Sequence, residues 1–358
     1  MSFFRSDLDN LPAYVAGKAG SDPNIIKLAS NEMPFGTLPT VKAVLEEHLG
    51  TLNVYPDMMA VRMREEIASH QGVNIDQVAT SNGSVNMIEK ILGAVCEPGG
   101  EIVYAWRSFE SYPIAVNLAG GTSVRVPLTQ AGEHDLEAMA KAVTDKTRAI
   151  ILCSPNNPTG TALTHTQLAG FLNAVDERIP VILDEAYIHF VRHDDPIRSV
   201  ELLNRHGNLI ILRTFSKAYS LAGLRVGYAL AESSVADKLR SVGTPFGVST
   251  LGQAAAVAAL HDVEEVMRRS DFVAAERDRV STALADLGFT IPKSEANFVW
   301  FEMTKTEPFV EIAARHLITV RAFAGDGVRV SIGSVEANDR IIATATEFAQ
   351  HIGLTRRS

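Results

Sequence analysis

Lys217 is the residue of this chain best placed for covalent chemistry. It lies just past the apolar run Leu209–Leu212, in Arg213-Thr214-Phe215-Ser216-Lys217. A lysine at the end of a buried strand can sit in a desolvated pocket, where lost hydration and nearby cations lower its pKa. The neutral amine then condenses with carbonyl groups. Asp184 follows Val181-Ile182-Leu183, so its backbone is expected to be buried. A buried carboxylate is costly unless something meets its charge, and a pyridinium nitrogen is a suitable partner. Taken singly, a surface lysine at a helix start and an N-cap aspartate are the ordinary readings of these positions.

Their neighbours strengthen the chemical reading. Gly83-Ser84-Val85 opens an apolar-periodic segment, and a helix N-terminus favours anions. Thr214 and Ser216 bring hydroxyls beside Lys217. Arg225, eight residues further on at the start of an apolar run, offers a bidentate contact. Together these make an anion cradle. Arg329 falls within a second short apolar run, Gly327–Ile332, and arginine is rarely buried there without a planar anion to bind.

The elements that would position these groups alternate. Short β-rich runs at Val78–Ser81, Glu101–Ala105, Thr122–Val126, Arg148–Cys153, Val181–Leu183, Leu209–Leu212 and Arg225–Leu230 are separated in several places by helical patterns, such as Val85–Val95 and Leu163–Asp176. This pattern predicts an α/β fold, a mainly parallel sheet covered by helices on both faces. Gly252–Leu287 reads as one long helical stretch. After it, strands (Ala296–Glu302, Gly327–Ile332) mix with helices (Glu307–His316, Asn338–Ile352), as in a smaller α+β domain. The expected division is 1–36 as an N-terminal arm and part of the small domain, 37–250 as the large domain and 251–358 as the small C-terminal domain. Ligands of open parallel sheets bind beyond the carboxyl ends of the strands. Four of those ends lead into Asn82-Gly83-Ser84, Asn156-Asn157-Pro158-Thr159-Gly160, Asp184-Glu185-Ala186-Tyr187 and Thr214-Phe215-Ser216-Lys217.

Ser216-Lys217-Ala218-Tyr219-Ser220-Leu221-Ala222-Gly223-Leu224-Arg225-Val226-Gly227 resembles the lysine signature of the fold-type I aminotransferases. Asn157-Pro158-Thr159-Gly160 and Asp184-Glu185-Ala186-Tyr187 match two further motifs of that family in order and spacing. Leu28-Ala29-Ser30-Asn31-Glu32 and Tyr55-Pro56-Asp57 resemble the branch that holds histidinol-phosphate and aromatic aminotransferases. Met33 departs from that branch's usual Asn-Glu-Asn-Pro. The resemblance implies that Lys217 carries pyridoxal 5'-phosphate and moves the substrate proton, and that Asp184 faces the pyridine nitrogen. Asn157 and Tyr187 would hold the phenolic oxygen, Phe109 would stack on the ring, and Gly83, Ser84, Thr214, Ser216 and Arg225 would bind the phosphate. Tyr55 would reach the site of a neighbouring subunit, which implies a homodimer. Arg329 would clamp the substrate carboxylate, with Arg321, Tyr14 and Asn31 also near the substrate. The segment Trp106-Arg107-Ser108-Phe109-Glu110-Ser111-Tyr112 looks more like the phenylalanine and aromatic enzymes. The implied reaction passes an amino group between an aromatic amino acid and 2-oxoglutarate. Histidinol-phosphate transamination is the alternative, and a decarboxylase on the same fold is a third reading.

Composition narrows the field. Lys plus Arg number 33 and Asp plus Glu 42, a net charge of −9 with no basic block, which argues against nucleic acid or anionic membranes as partners. The longest apolar run, Ala254–Leu260, is far short of a membrane span, and the N-terminus lacks the regions of a signal peptide. Two cysteines, Cys96 and Cys153, provide no disulfide framework and no metal spacing, which fits the cytoplasm. Neither H-E-x-x-H, nor G-x-S-x-G, nor a P-loop is present.

Overall fold

The structure is a computed structural model that describes residues 23–354 and, ahead of them, Phe3 and Leu8. Tyr14 lies outside the described residues. The strands are β1 (Ile26–Lys27), β2 (Val78–Ser81), β3 (Glu101–Trp106), β4 (Thr122–Pro127), β5 (Thr147–Cys153), β6 (Val181–Asp184), β7 (Leu209–Thr214), β8 (Gly227–Leu230), β9 (Phe298–Glu302), β10 (Ile318–Thr319), β11 (Arg321–Phe323) and β12 (Gly327–Ser331).

Seven of them form the central sheet, in the order β2-β8-β7-β6-β5-β3-β4. Strands β4, β3, β5, β6 and β7 run parallel, and β8 runs antiparallel to both of its neighbours. The side chains show why these short runs are strands. Along β5, Ile150 and Leu152 join one buried core while Ala149, Ile151 and Cys153 join another. Likewise Val181 and Leu183 of β6 face one core and Ile182 the other. Period-two alternation between two apolar layers is what a sheet covered on both faces requires. Helices Ser84–Val95 and Ser111–Leu118 supply one layer through Met87, Ile88, Ile91, Tyr112 and Val116. Helix His165–Ala174 supplies Leu168, Phe171 and Leu172 to the other.

A second sheet, β11-β12-β9, is antiparallel, and β1 pairs in parallel with β10. The long helical stretch breaks at Asp262 into Thr250–His261 and Val263–Asp286. The Asp262 carboxylate accepts a bond from the Thr40 hydroxyl at 2.9 Å, which ties the break to the start of helix Pro39–His48. Among the described residues, no helix is long and apolar enough to cross a membrane.

The strand order turns around between β3 and β5: the chain leaves β3 for β4 at one edge, and leaves β5 for β6 and β7 in the other direction. The carboxyl ends of the strands around this point are where such a sheet offers a crevice.

Candidate active site

The crevice holds a cavity of about 420 Å³. Its walls include Asn31, Ser84, Phe109, Asn157, Asp184, Tyr187, Thr214, Ser216, Lys217, Arg225 and Arg329, eleven positions that the sequence singles out. They come from the ends of β5, β6 and β7, the start of helix Ser84–Val95, strand β12 of the second sheet, the segment after β1 (Asn31), the loop after β3 (Phe109) and the turn before β8 (Arg225).

Lys217 is half-buried at the wall, three residues beyond β7, and its Nζ donates to the Ser30 carbonyl at 2.9 Å. Burial, helped by Arg329 and Arg225, lowers the ammonium to about 7, against the opposing pull of Glu32 and Asp184. Near neutrality a substantial share of this amine is therefore an unprotonated nucleophile.

Asp184 is the last residue of β6 and is 3% exposed. Its Oδ2 accepts from the Tyr112 hydroxyl at 2.8 Å, and the Ala186 N–H donates weakly to Oδ1 at 3.3 Å. Burial raises the carboxyl to about 6 even though both bonds favour its charged form. Two neutral donors therefore do not offset its desolvation. A ring N–H cation in the cavity would supply the charge that this carboxylate lacks, so the site fits a pyridinium. Tyr112 also meets Phe109 edge-on, with centroids 5.6 Å apart, and so fixes the ring that lines the cavity.

The anion cradle is shaped by two glycines. Gly83 sits at φ 83° immediately before helix Ser84–Val95, and a Cβ there would lie 2.7 Å from Arg225 Nη2. A Cβ on Gly227 would come within 2.7 Å of the Gly83 carbonyl carbon and the Ser84 nitrogen. Without side chains at either position, the helix N-terminus, β8 and the Arg225 guanidinium converge. Thr214 Oγ1 donates to Ser216 Oγ at 3.0 Å, and Arg225 Nη1 donates to the same oxygen at 3.3 Å. This cluster of helix N–H groups, hydroxyls and a guanidinium suits a phosphate. The sequence reading placed Arg225 within a strand. It precedes β8 instead, in a left-handed conformation (φ 55°) after the turn Ala222–Leu224. That bend turns its side chain toward Ser216.

Arg329 sits in the middle of β12, the central strand of the second sheet, and is 7% exposed. Nη1 donates to Asn157 Oδ1 at 2.5 Å and Nη2 to the Ala29 carbonyl at 2.6 Å. Asn31 links the two sheets: its N–H donates to Ser331 Oγ, its Nδ2 donates to the Tyr187 hydroxyl, and its carbonyl accepts from Asn297. Burial pushes the Tyr187 phenol up, so it remains a neutral hydroxyl.

Two further positions lie elsewhere. Tyr55 is 78% exposed and packs on Phe246, with centroids 4.6 Å apart, away from its own chain's cavity. Arg321 is the register partner of Arg329 in the β11–β12 pair and bonds Glu110 at 2.6 Å rather than lining the cavity. Ser30, Ser111, Tyr112, Cys153 and Ala186 contribute to the site without having been singled out individually. Ser30 acts through its backbone carbonyl, which no side-chain pattern reveals. Tyr112 did carry a signal, as the last member of the aromatic segment Trp106–Tyr112.

Lys217, with its lowered pKa, and the buried Asp184 carboxyl thus share one cavity with an anion cradle and the Arg329 guanidinium. The chain belongs to the aminotransferase class I and II family, whose profile matches residues 23–345, and its fold is that of the fold-type I aminotransferases. It is 44% identical to the aromatic amino acid aminotransferase of Streptomyces avermitilis over 97% of this chain and 98% of that one. It is 45% identical to the protein of the same name from Thermobifida fusca, over 97% of each. Among solved structures, the histidinol-phosphate aminotransferase of Sinorhizobium meliloti, in complex with pyridoxal-5'-phosphate, superposes with a TM-score of 0.86 at 27% identity, over 98% of this chain and 99% of that one.

Proposed function

We propose that this chain is a pyridoxal-phosphate-dependent aromatic amino acid aminotransferase, passing an amino group from phenylalanine or tyrosine to 2-oxoglutarate. The observation that carries this is the pairing, on one cavity, of Lys217 held near pH 7 and Asp184 raised by burial, with Arg329 opposite. The names of the relatives at 44–45% identity favour aromatic donors. The family and the ligand of the Sinorhizobium structure favour the cofactor.

The cofactor, when bound, would supply a carbonyl for the amino group and an electron sink. Asp184 would hold the ring nitrogen and keep it protonated. Asn157 and Tyr187 would hydrogen-bond the ring's oxygen, and Phe109 would pack on the ring. Ser84, Thr214, Ser216 and Arg225, with the turn at Gly83, hold the phosphate. Arg329 anchors the substrate carboxylate and so fixes the orientation of the Cα–H bond. With the cofactor bound, the Lys217 amine would be the group positioned to take the substrate's Cα proton and to give it back. Its lowered pKa suits both halves of that transfer.

The protein is proposed to act as a cytoplasmic homodimer. Support comes from an exposed apolar belt, Leu49, Leu52, Val54, Tyr55 and Met58, each more than half exposed. The test is a single half-reaction. Purified holoenzyme mixed with phenylalanine and no acceptor should form one phenylpyruvate per site. Phenethylamine and carbon dioxide as products would instead establish a decarboxylase.

A further inference from the structure

Beside the cavity is an ion pair that the proposed chemistry does not use. Glu110 lies between Phe109 and Ser111, both of which line the cavity. Its Oε2 accepts from Arg321 Nη2 at 2.6 Å. Arg321 is directly opposite Arg329 in the antiparallel β11–β12 pair, so the two side chains share one face of that sheet. Both guanidiniums lie over the ring of Phe323, at 5.1 and 5.7 Å. A third guanidinium, Arg107, lies over the same ring at 5.1 Å, so with Arg329 on the α-carboxylate, Arg321 is a neighbouring cation within reach of a substrate side chain. The Arg321 side chain is 8% exposed and that of Glu110 is 25% exposed, so the carboxylate can leave toward water more readily than the guanidinium. A second bridge, Arg107 to Asp326 at 2.8 Å, joins the same loop to the same hairpin. The loop therefore has another ionic link when Glu110 lets go.

We propose that Glu110 is a specificity residue, an internal competitor that occupies Arg321 and yields it to an anionic substrate side chain. This inference rests on the transaminase reading above. A ping-pong enzyme of this kind must admit an apolar ring in one half-reaction and a second carboxylate in the other, through the same mouth. With Glu110 on Arg321 the cation is neutralised, and an aromatic side chain meets no unsatisfied charge. When a dicarboxylic substrate enters, its distal carboxylate replaces the Glu110 carboxylate on the guanidinium, one anion for another. The exchange lowers the affinity for diacids, because each must displace a resident carboxylate.

The test compares two half-reactions in the holoenzyme by rapid mixing, with phenylalanine and with glutamate as donors. Glu110→Gln should raise the ratio of kcat/KM for glutamate to that for phenylalanine by about tenfold, since a charged competitor is removed. Arg321→Gln should lower the same ratio by a similar factor. Should Glu110→Gln not hold the cofactor, Glu110→Ser reads the same quantity. An unchanged ratio, or an equal fall for both donors, would show that the pair is structural and overturn the proposal. Wild-type enzyme that fails to transaminate phenylalanine at all would overturn the transaminase reading instead.

Discussion

Two side chains carry opposite perturbations with one origin. Lys217 and Asp184 are both driven toward their neutral forms by burial, to about 7 and about 6 respectively. For Lys217 the expected outcome is direct: Lys217→Ala abolishes turnover, and borohydride treatment of the wild type leaves the cofactor fixed to the peptide containing Lys217. Mass spectrometry of the digest reads this, and label on another lysine would refute the assignment. For Asp184 the sign of the pH dependence is informative. Its folded pKa is above the ordinary 3.8, so the cofactor-free protein binds an extra proton relative to the unfolded chain across roughly pH 4 to 6. That contribution to stability is present below pH 4 and lost as pH rises through 6, by about 3 kcal/mol at about 1.4 kcal/mol per unit. Urea denaturation of the cofactor-free protein should therefore show Asp184→Asn gaining on the wild type from pH 4 to 7. The same substitution should slow proton transfer in the holoenzyme. An equal pH slope in both proteins would mean that Asp184 is not the strained group.

At the scale of elements, the cradle depends on a helix starting where no side chain stands. Gly83→Ala must place a Cβ 2.7 Å from the Arg225 guanidinium at φ 83°. Strain of this kind costs about 1–3 kcal/mol. We expect cofactor affinity to fall by roughly tenfold to a hundredfold with the fold retained, as read by equilibrium titration and circular dichroism; unaltered affinity would place the phosphate elsewhere. How much was legible follows from the same elements. The buried strands β5, β6 and β7 declared themselves through unbroken apolar runs between turn residues, and the residues at their ends through a signature of fixed spacing. Strands β1, β10 and β11 span only two or three residues, too few for any period to show. The break at Asp262 was hidden because helical periodicity resumes at once in Val263–Asp286, with no proline or glycine at the junction. Arg225 was read into the following strand because its apolar neighbours, Leu224 and Val226, do not reveal a left-handed bend. The contacts of Tyr112 with Asp184 and of Ser30 with Lys217 join residues 72 and 187 positions apart, which only the fold brings together.

For the whole molecule, we propose the division into an arm at 1–36, a large domain at 37–250 and a small domain at 251–358. Helix Thr250–His261 lies against helices Pro39–His48 and Val61–Gln71, so the last two units share that contact. The exposed belt from Leu49 to Met58 is the surface a second copy should cover, bringing Tyr55 toward the partner's cavity. Sedimentation should give twice the 38.7 kDa chain mass. Leu52→Asp should shift the protein toward monomers and reduce activity with it, while a monomeric wild type with full turnover would remove Tyr55 from the site. The central claim is the donor. Its most direct measurement is kcat/KM for phenylalanine, tyrosine and histidinol phosphate with 2-oxoglutarate as acceptor. A dianionic phosphate needs donors or cations to offset its desolvation, and at Arg321 it must first displace the Glu110 carboxylate. Phenylalanine and tyrosine should therefore exceed histidinol phosphate by tenfold or more, about 1.4 kcal/mol in transition-state binding. Histidinol phosphate ahead by the same margin would contradict the aromatic assignment.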